Sequence, residues 1–147
     1  MKTLLKTVTA SHASYSALSL RIPIGVIFMA HGAQKLFAWF GGYGLEGTAG
    51  WMESIGLAPG FLMAVLAGSG EFFGGVFILL GLLTRPAAAV LAITMIVAIF
   101  SVHFSNGLFM SNNGYEFALA LLAASVSVAI SGSGKLSLDN YLAKKLA

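Results

Sequence analysis

Cysteine is absent from the 147-residue chain. That removes disulfides, thiolate nucleophiles and cysteine-ligated zinc or iron–sulfur centres, so any redox role needs a bound molecule or a partner. Charge is scarce as well: 9% of residues are Asp, Glu, Lys or Arg, against about 25% in an ordinary soluble domain. A water-facing surface cannot be built from that inventory. The net charge of +3 forms no basic stripe, and nucleic acid is not an expected partner. No glycine-rich motif leads into a lysine followed by serine or threonine, and no His-x-x-x-His pair appears. Phosphate cradles and zinc sites therefore have no sequence support, and no metal is expected.

Apolar side chains are what the sequence does hold. The composition is 58% hydrophobic, with a mean hydropathy of +0.90. Four apolar runs are read as membrane spans, at about 17–39, 61–83, 85–104 and 115–130, where crossing a bilayer takes about 20 residues. The fourth is short and should borrow residues on either side. Lys2 and Lys6 before the first run resemble a signal peptide. The run is too long and lacks a small-x-small cleavage site, so an uncleaved span is expected. The whole chain, 1–147, reads as one domain, an all-α integral membrane four-helix bundle.

Threading four spans puts Lys2, Lys6, Arg85, Lys135, Lys144 and Lys145 on one side and only Lys35 on the other. By the positive-inside rule both termini should be cytoplasmic. Leu83-Thr84-Arg85-Pro86 forms a turn, with Pro86 in the first turn of the third span, where its missing N–H costs nothing. Between the first two spans, Thr48 is a candidate cap for a short interfacial helix through Ile55, with Trp51, Met52 and Ile55 on its apolar side. Asn-Gly pairs at Asn106 and Asn113 mark turns in the other outer loop. Ser137 is a candidate N-cap for a C-terminal amphipathic helix carrying Leu138, Leu142 and Leu146 on one stripe. Trp39, Trp51 and Tyr115 suit an interfacial aromatic belt.

Charges inside the spans are the most informative feature. At the centre of a span each costs about 2.5–3.5 kcal/mol on insertion scales, so such groups should pair within the bundle. Arg21, Gly25, Phe28, Gly32 and Lys35 share one face of the first span, flanked by His31 and Gln34. Gly68, Glu71 and Gly75 share a face of the second. Small residues let backbones approach closely, so the charged faces are also the packing faces. Glu116, Ala120, Ala124 and Ser127 form a comparable face in the fourth span, and His103 closes the third. Glu71 and His31 should lie near mid-membrane, with Lys35, His103 and Glu116 nearer the outer surface. Arg21 sits near the inner surface and suits an anchor there. The expectation is one polar cluster of Glu71, His31 and Lys35, roofed by His103 and Glu116. Haem ligation by His31 and His103 is not expected, because the threading sets them at different depths.

These residues resemble the DoxX family. The likeness runs through Arg21-Ile22-Pro23-Ile24-Gly25 and His31-Gly32-Ala33-Gln34-Lys35-Leu36-Phe37, then Gly56-Leu57-Ala58-Pro59 and Glu71-Phe72-Phe73-Gly74-Gly75. It continues in Gly81-Leu82-Leu83-Thr84-Arg85 and Gly114-Tyr115-Glu116, and closes with Gly132-Ser133-Gly134-Lys135-Leu136-Ser137-Leu138-Asp139. Ser133 stands where many relatives carry proline. The resemblance implies a four-helix inner-membrane protein. Members are commonly described as candidate oxidoreductase or quinol oxidase subunits, some of them in complexes that detoxify oxidants. On that footing Glu71 and His31 are the expected proton relay. Lys35, Gln34, His103, Glu116 and Arg21 are the candidate quinone-binding side chains, with the lipid bilayer, redox partner proteins and a second copy of the chain as partners. Two other readings stay open: a non-catalytic membrane scaffold whose polar core fixes helix register, and a proton-coupled carrier.

Overall fold

The computed structural model describes residues 15–146, and the regular secondary structure among them is all helical. Six α-helices follow in order: α1 Ser16–Phe37, α2 Gly44–Ser54, α3 Gly60–Leu80, α4 Thr84–Ala98, α5 Glu116–Ser131 and α6 Leu138–Leu146. Beyond Ala98, α4 passes into a π-helical turn, Ile99–His103, and then a 3₁₀ turn, Phe104–Asn106. The continuous rod Thr84–Asn106 joins α1 and α3 as a helix long and apolar enough to cross a bilayer, and α5 is a shorter apolar helix. At about 1.5 Å per residue α5 reaches about 24 Å, so the expectation of a short fourth span holds. Lys2 and Lys6 lie outside the described residues, as does the side chain of Leu146.

Glycine sets the tightest contact in the bundle. α1 packs most extensively on α3. A Cβ on Gly32 would collide with the backbone nitrogen of Phe72, and one on Gly75 would stand 2.7 Å from the Gly25 carbonyl. Without side chains at these points the two backbones touch, as small residues permit in membrane bundles. α3 then packs on α4 and α4 on α5, with a lighter α1–α5 contact closing the ring. One core joins Ile24 and Phe28 of α1, Ile78 of α3, Leu91 and Met95 of α4, and Leu121 and Val128 of α5.

Two local expectations are corrected. The helix in the long connection begins at Gly44, not Thr48. Thr48 is a buried mid-helix residue, on a stripe with Gly44, Ala49 and Met52, and Met52 packs with Ala49 against Ala64 of α3. Trp51, expected on the apolar side, is 42% exposed. In α5 the buried residues are Ala118, Leu121, Ser125 and Val128, whereas Ala120 and Ser127 are exposed. Bulkier Leu121 and Val128 fill the core; the small-residue face is not the packing face.

At the end holding the α3–α4 turn, polar groups lock the chain. Gly81, at φ 63°, terminates α3 with N–H bonds from Gly81 to Ile78 and from Leu82 to Phe77, a Schellman ending that a left-handed glycine allows. Arg21 is 1% exposed. Its guanidinium donates to the carbonyls of Ile78 (2.8 Å), Leu79 (3.0 Å), Ser133 (2.5 Å) and Leu136 (2.9 Å). Asp139, also 1% exposed, accepts the N–H groups of Leu83 and Thr84 at 2.7 and 2.9 Å, while its own N–H donates to Gly81. A carboxylate thereby caps the start of α4, where the helix dipole favours an anion. Ser137 Oγ accepts the Asn140 N–H at 3.1 Å, the N-cap expected from sequence.

Candidate functional site

The opposite end of the bundle is hollow. A cavity of about 690 Å³ lies between α1, α3, α4 and α5, with α2 and the 107–116 loop beside it. Its wall is mainly apolar, from Phe28, Met52, Leu57, Ala67, Met95, Ala98, Phe117 and Leu121 among others, and its polar side chains include His31, Lys35, Glu71, Ser101 and His103. Its volume falls within the ~300–1,000 Å³ usual for small-molecule sites, and an apolar lining with few polar groups is their ordinary makeup.

Lys35 and Glu71 meet in that wall. Nζ lies 2.5 Å from Oε2, with side-chain exposures of 23% and 5%. Lys35 occupies the last turn of α1, where a cation complements the helix dipole. Glu71 is carried inward by the glycine face of α3, since Gly68, Gly74 and Gly75 are buried around it. The same close α1–α3 approach that needs Gly32 brings the two charges together. His31 lies one turn below Lys35 on α1 and lines the same chamber. Its ring lies 6.4 Å from that of Phe117 on α5.

His103 arrives by another route. The π turn that carries it widens the end of α4, a feature often found at functional sites. Nδ1 lies 2.9 Å from the carbonyl oxygen of Asn113. A carbonyl only accepts, so Nδ1 bears the proton, and in the neutral ring Nε2 keeps the lone pair. Asn106 Nδ2 donates to the same carbonyl at 3.2 Å. Both Asn-Gly signals therefore serve the loop that positions His103: Asn113 has φ 59° and Gly107 φ 78°.

Four of the seven candidate residues, His31, Lys35, Glu71 and His103, reach the one cavity. Glu116 does not line it; its carboxylate accepts the Met110 N–H at 2.6 Å and ties down the loop. Gln34 donates to the Phe40 carbonyl at 3.2 Å and faces a separate, smaller cavity. Arg21 belongs to the locked end, with its donors committed to backbone carbonyls. Sequence reasoning missed the π turn, the chamber residues Ser101 and Phe117, and the capping role of Asp139. The acid at 139 was visible only as one more charge in a helix start.

Three apolar helices of membrane-spanning length, a fourth shorter one and an ionisable interior define a multi-pass helical membrane protein. The sequence pattern of the DoxX family matches residues 16–104, and the chain belongs to that family. It is 39% identical over 127 residues to a Bacillus subtilis (strain 168) protein named "Putative oxidoreductase CatD", covering 86% of this chain and 87% of that one. It is 34% identical over 134 residues to the Escherichia coli (strain K12) inner membrane protein YqjF, covering 87% and 92%. To the inner membrane protein YphA of the same organism it is 30% identical over 127 residues, covering 83% and 86%. No solved structure matches the chain.

Proposed function

We propose that this protein is an inner-membrane subunit in quinone-linked redox chemistry, with the large cavity as the site for the quinone ring. The observation that carries this reading is an ion pair set into the wall of a mainly apolar chamber that also presents two imidazoles. A quinone ring needs an apolar slot with a donor for its oxygen and a proton source, because reduction to the quinol adds two electrons and two protons. The electrons come from a redox partner protein. Lys35 donates a hydrogen bond to one quinone oxygen, and Glu71 and His31 deliver protons. His103, through Nε2, accepts or returns the proton at the far wall. Quinol oxidation runs the same steps backward. The printed name of the Bacillus relative points the same way.

Arg85, Lys135, Lys144 and Lys145 gather at the locked end, which supports a cytoplasmic position for both termini and, with it, a chamber in the outer half of the bilayer. Binding is testable through Trp51, which lines the chamber. In a Trp39→Phe background, a short-chain quinone should quench Trp51 fluorescence saturably, and Ala98→Phe, which fills the chamber, should abolish the quenching. Unsaturable quenching equal in both proteins would end this reading.

A scaffold role is the second reading, favoured by how completely the ion pair satisfies itself at 2.5 Å. Full cellular function in a Glu71→Gln, His31→Ala double variant would select it.

A further inference from the structure

A second cavity of about 260 Å³ lies beneath the connection from α1 to α2, lined by Gln34, Lys35, Tyr43, Thr48 and Trp51 together with Gly41 and Gly42. The left-handed residues Ala38, Phe40 and Gly41 fold this connection back over α1, and Gly42 seats so closely on Gln34 that a Cβ would stand 2.5 Å from its Cα. The roof is thus fixed, yet its rim is open: Tyr43 is 83% exposed. Its wall carries an amide, a phenol, a hydroxyl and an ammonium, groups that can each hold a water molecule.

Only Lys35 and Trp51 belong to the walls of both cavities. Glu71 lines the chamber alone. The cation is the more exposed partner of the pair, at 23% against 5%. Lys35 therefore borders both cavities and Glu71 the larger one alone, so the pair joins the two in series. The charged and titratable groups around the pair are His31 on its own helix, His103 across the chamber and Tyr43 at the rim.

We infer that the small cavity is an aqueous vestibule, and that the Lys35–Glu71 pair passes protons between its water and the chamber. The transfer is balanced. The ammonium of Lys35 gives a proton to the Glu71 carboxylate, leaving a neutral amine and a neutral acid. The acid protonates an oxygen of the chamber's occupant and returns to carboxylate. The amine takes a proton from a hydronium ion in the vestibule, releasing water and restoring the ammonium. An ion pair in low dielectric can collapse to the neutral pair because desolvation penalises both charged forms. This route requires the chamber to be drier than the vestibule, with Trp51 and the pair standing between the two. The inference rests on proton chemistry occurring in the chamber; the water route itself is independent of which molecule binds there.

The absence of native cysteine makes thiol accessibility a clean test in the full chain. Thr48→Cys reports the vestibule, Ala98→Cys the chamber and Lys35→Cys the junction. Each is placed in sealed vesicles and treated, from the side of the α1–α2 connection, with a membrane-impermeant quaternary-ammonium methanethiosulfonate. The thiolate attacks the sulfenyl sulfur and expels methanesulfinate. Thr48→Cys and Lys35→Cys should label at least about tenfold faster than Ala98→Cys, since a thiol in dry apolar surroundings ionises poorly. Ala98→Cys labelling as fast as Thr48→Cys would put bulk water in the chamber and overturn the proposal. So would an unreactive Thr48→Cys, or a reactive Thr48→Cys beside an unreactive Lys35→Cys. If Lys35→Cys folds poorly, the 48/98 comparison still decides with the ion pair intact. Aminoethyl methanethiosulfonate, which rebuilds an ammonium at position 35, should also raise the variant's melting temperature. Quinone binding failing while this labelling pattern holds would sink the quinone reading alone; the converse would sink the vestibule alone.

Discussion

Replacing Arg21 with alanine tests the locked end, and its magnitude can be worked from the four bonds the guanidinium makes. Hydrogen bonds between bilayer-embedded helices average about 0.6 kcal/mol and reach about 1.7. Four of them bracket the loss between about 2.4 and 7 kcal/mol on that basis. The Ile78 carbonyl keeps its Gly81 N–H partner, which trims the upper end. Leu79, Ser133 and Leu136 lose a charged donor in a site that water scarcely reaches, because Arg21 is 1% exposed. A buried carbonyl left without its donor costs about 1–3 kcal/mol, so three of them put the loss at about 3 kcal/mol or more, inside the bracket. Arg21→Ala should lose about that much, and Arg21→Lys should recover less than half, because a compact ammonium cannot span four acceptors as a planar fork does.

The assay has two arms. Reversible unfolding in detergent or bicelles gives the free energy. Trypsin at Lys135 and Lys144 reports whether the C-terminal segment has detached, since Arg21 holds Ser133 and Leu136 and Asp139 holds the α4 start. The two side chains anchor one segment, so Arg21→Ala and Asp139→Asn should be less than additive. Quinone-induced quenching of Trp51 should survive in every folded variant of this set. A loss under about 0.5 kcal/mol, the range of ordinary surface changes, with unchanged tryptic cleavage would refute the assignment of Arg21 as the clamp.

Gly32→Ala drives a methyl into the Phe72 backbone and should cost about 1–3 kcal/mol, as overpacking does, whereas Gly50→Ala, whose Cβ meets nothing within 4 Å, should be neutral or stabilising by about 0.4–1 kcal/mol in the same unfolding assay. Ser137→Ala removes the Asn140 N–H acceptor and should cost about 0.5–2 kcal/mol, read as earlier tryptic release of α6. Glu71→Gln strips the anion from Lys35 and should lower the melting temperature, while Glu71→Gln combined with Lys35→Met, which removes both charges, should recover most of the loss, because an unpaired buried charge costs more than none. Failure of the double variant to recover would show that the pair contributes more than mutual neutralisation.

Helix number, the α3–α4 turn and the packing faces of α1 and α3 were legible because period, glycine spacing and charge cost all point the same way there. Arg21, Gly25, Phe28 and Gly32 fall on one buried face as the spacing predicts. The α5 face failed for a physical reason: small residues mark a close approach only where a partner backbone comes near, and α5 instead meets α4 through Leu121 and Val128. Thr48 was misread as a cap because its hydroxyl signals both a helix start and a buried mid-helix partner, and here it lies 3.5 Å from the Lys35 carbonyl. The meeting of Lys35 with Glu71 was anticipated, but the hollow behind it was not. No periodicity encodes empty space; the chamber comes from the π turn and from alanines at 67, 98 and 118, each unremarkable in the sequence.

The division of labour between the two ends bears on which function class is right. At the locked end, Arg21 and Asp139 are both 1% exposed and bond backbone groups that helix ends leave unpaired, which is what fixing a fold requires. A scaffold needs no more than this. At the other end the bundle carries a second set of ionisable groups that closes no helix terminus, faces about 690 Å³ of space, and costs stability wherever desolvation is not repaid. A polar core kept only for register would pack tightly around Glu71. Instead, the carboxylate borders a hollow of about 690 Å³, and its cation borders both that hollow and a second, smaller cavity. That arrangement supports the proposed reading of the chamber as a place where a bound molecule and a proton meet, over a polar core kept for register alone.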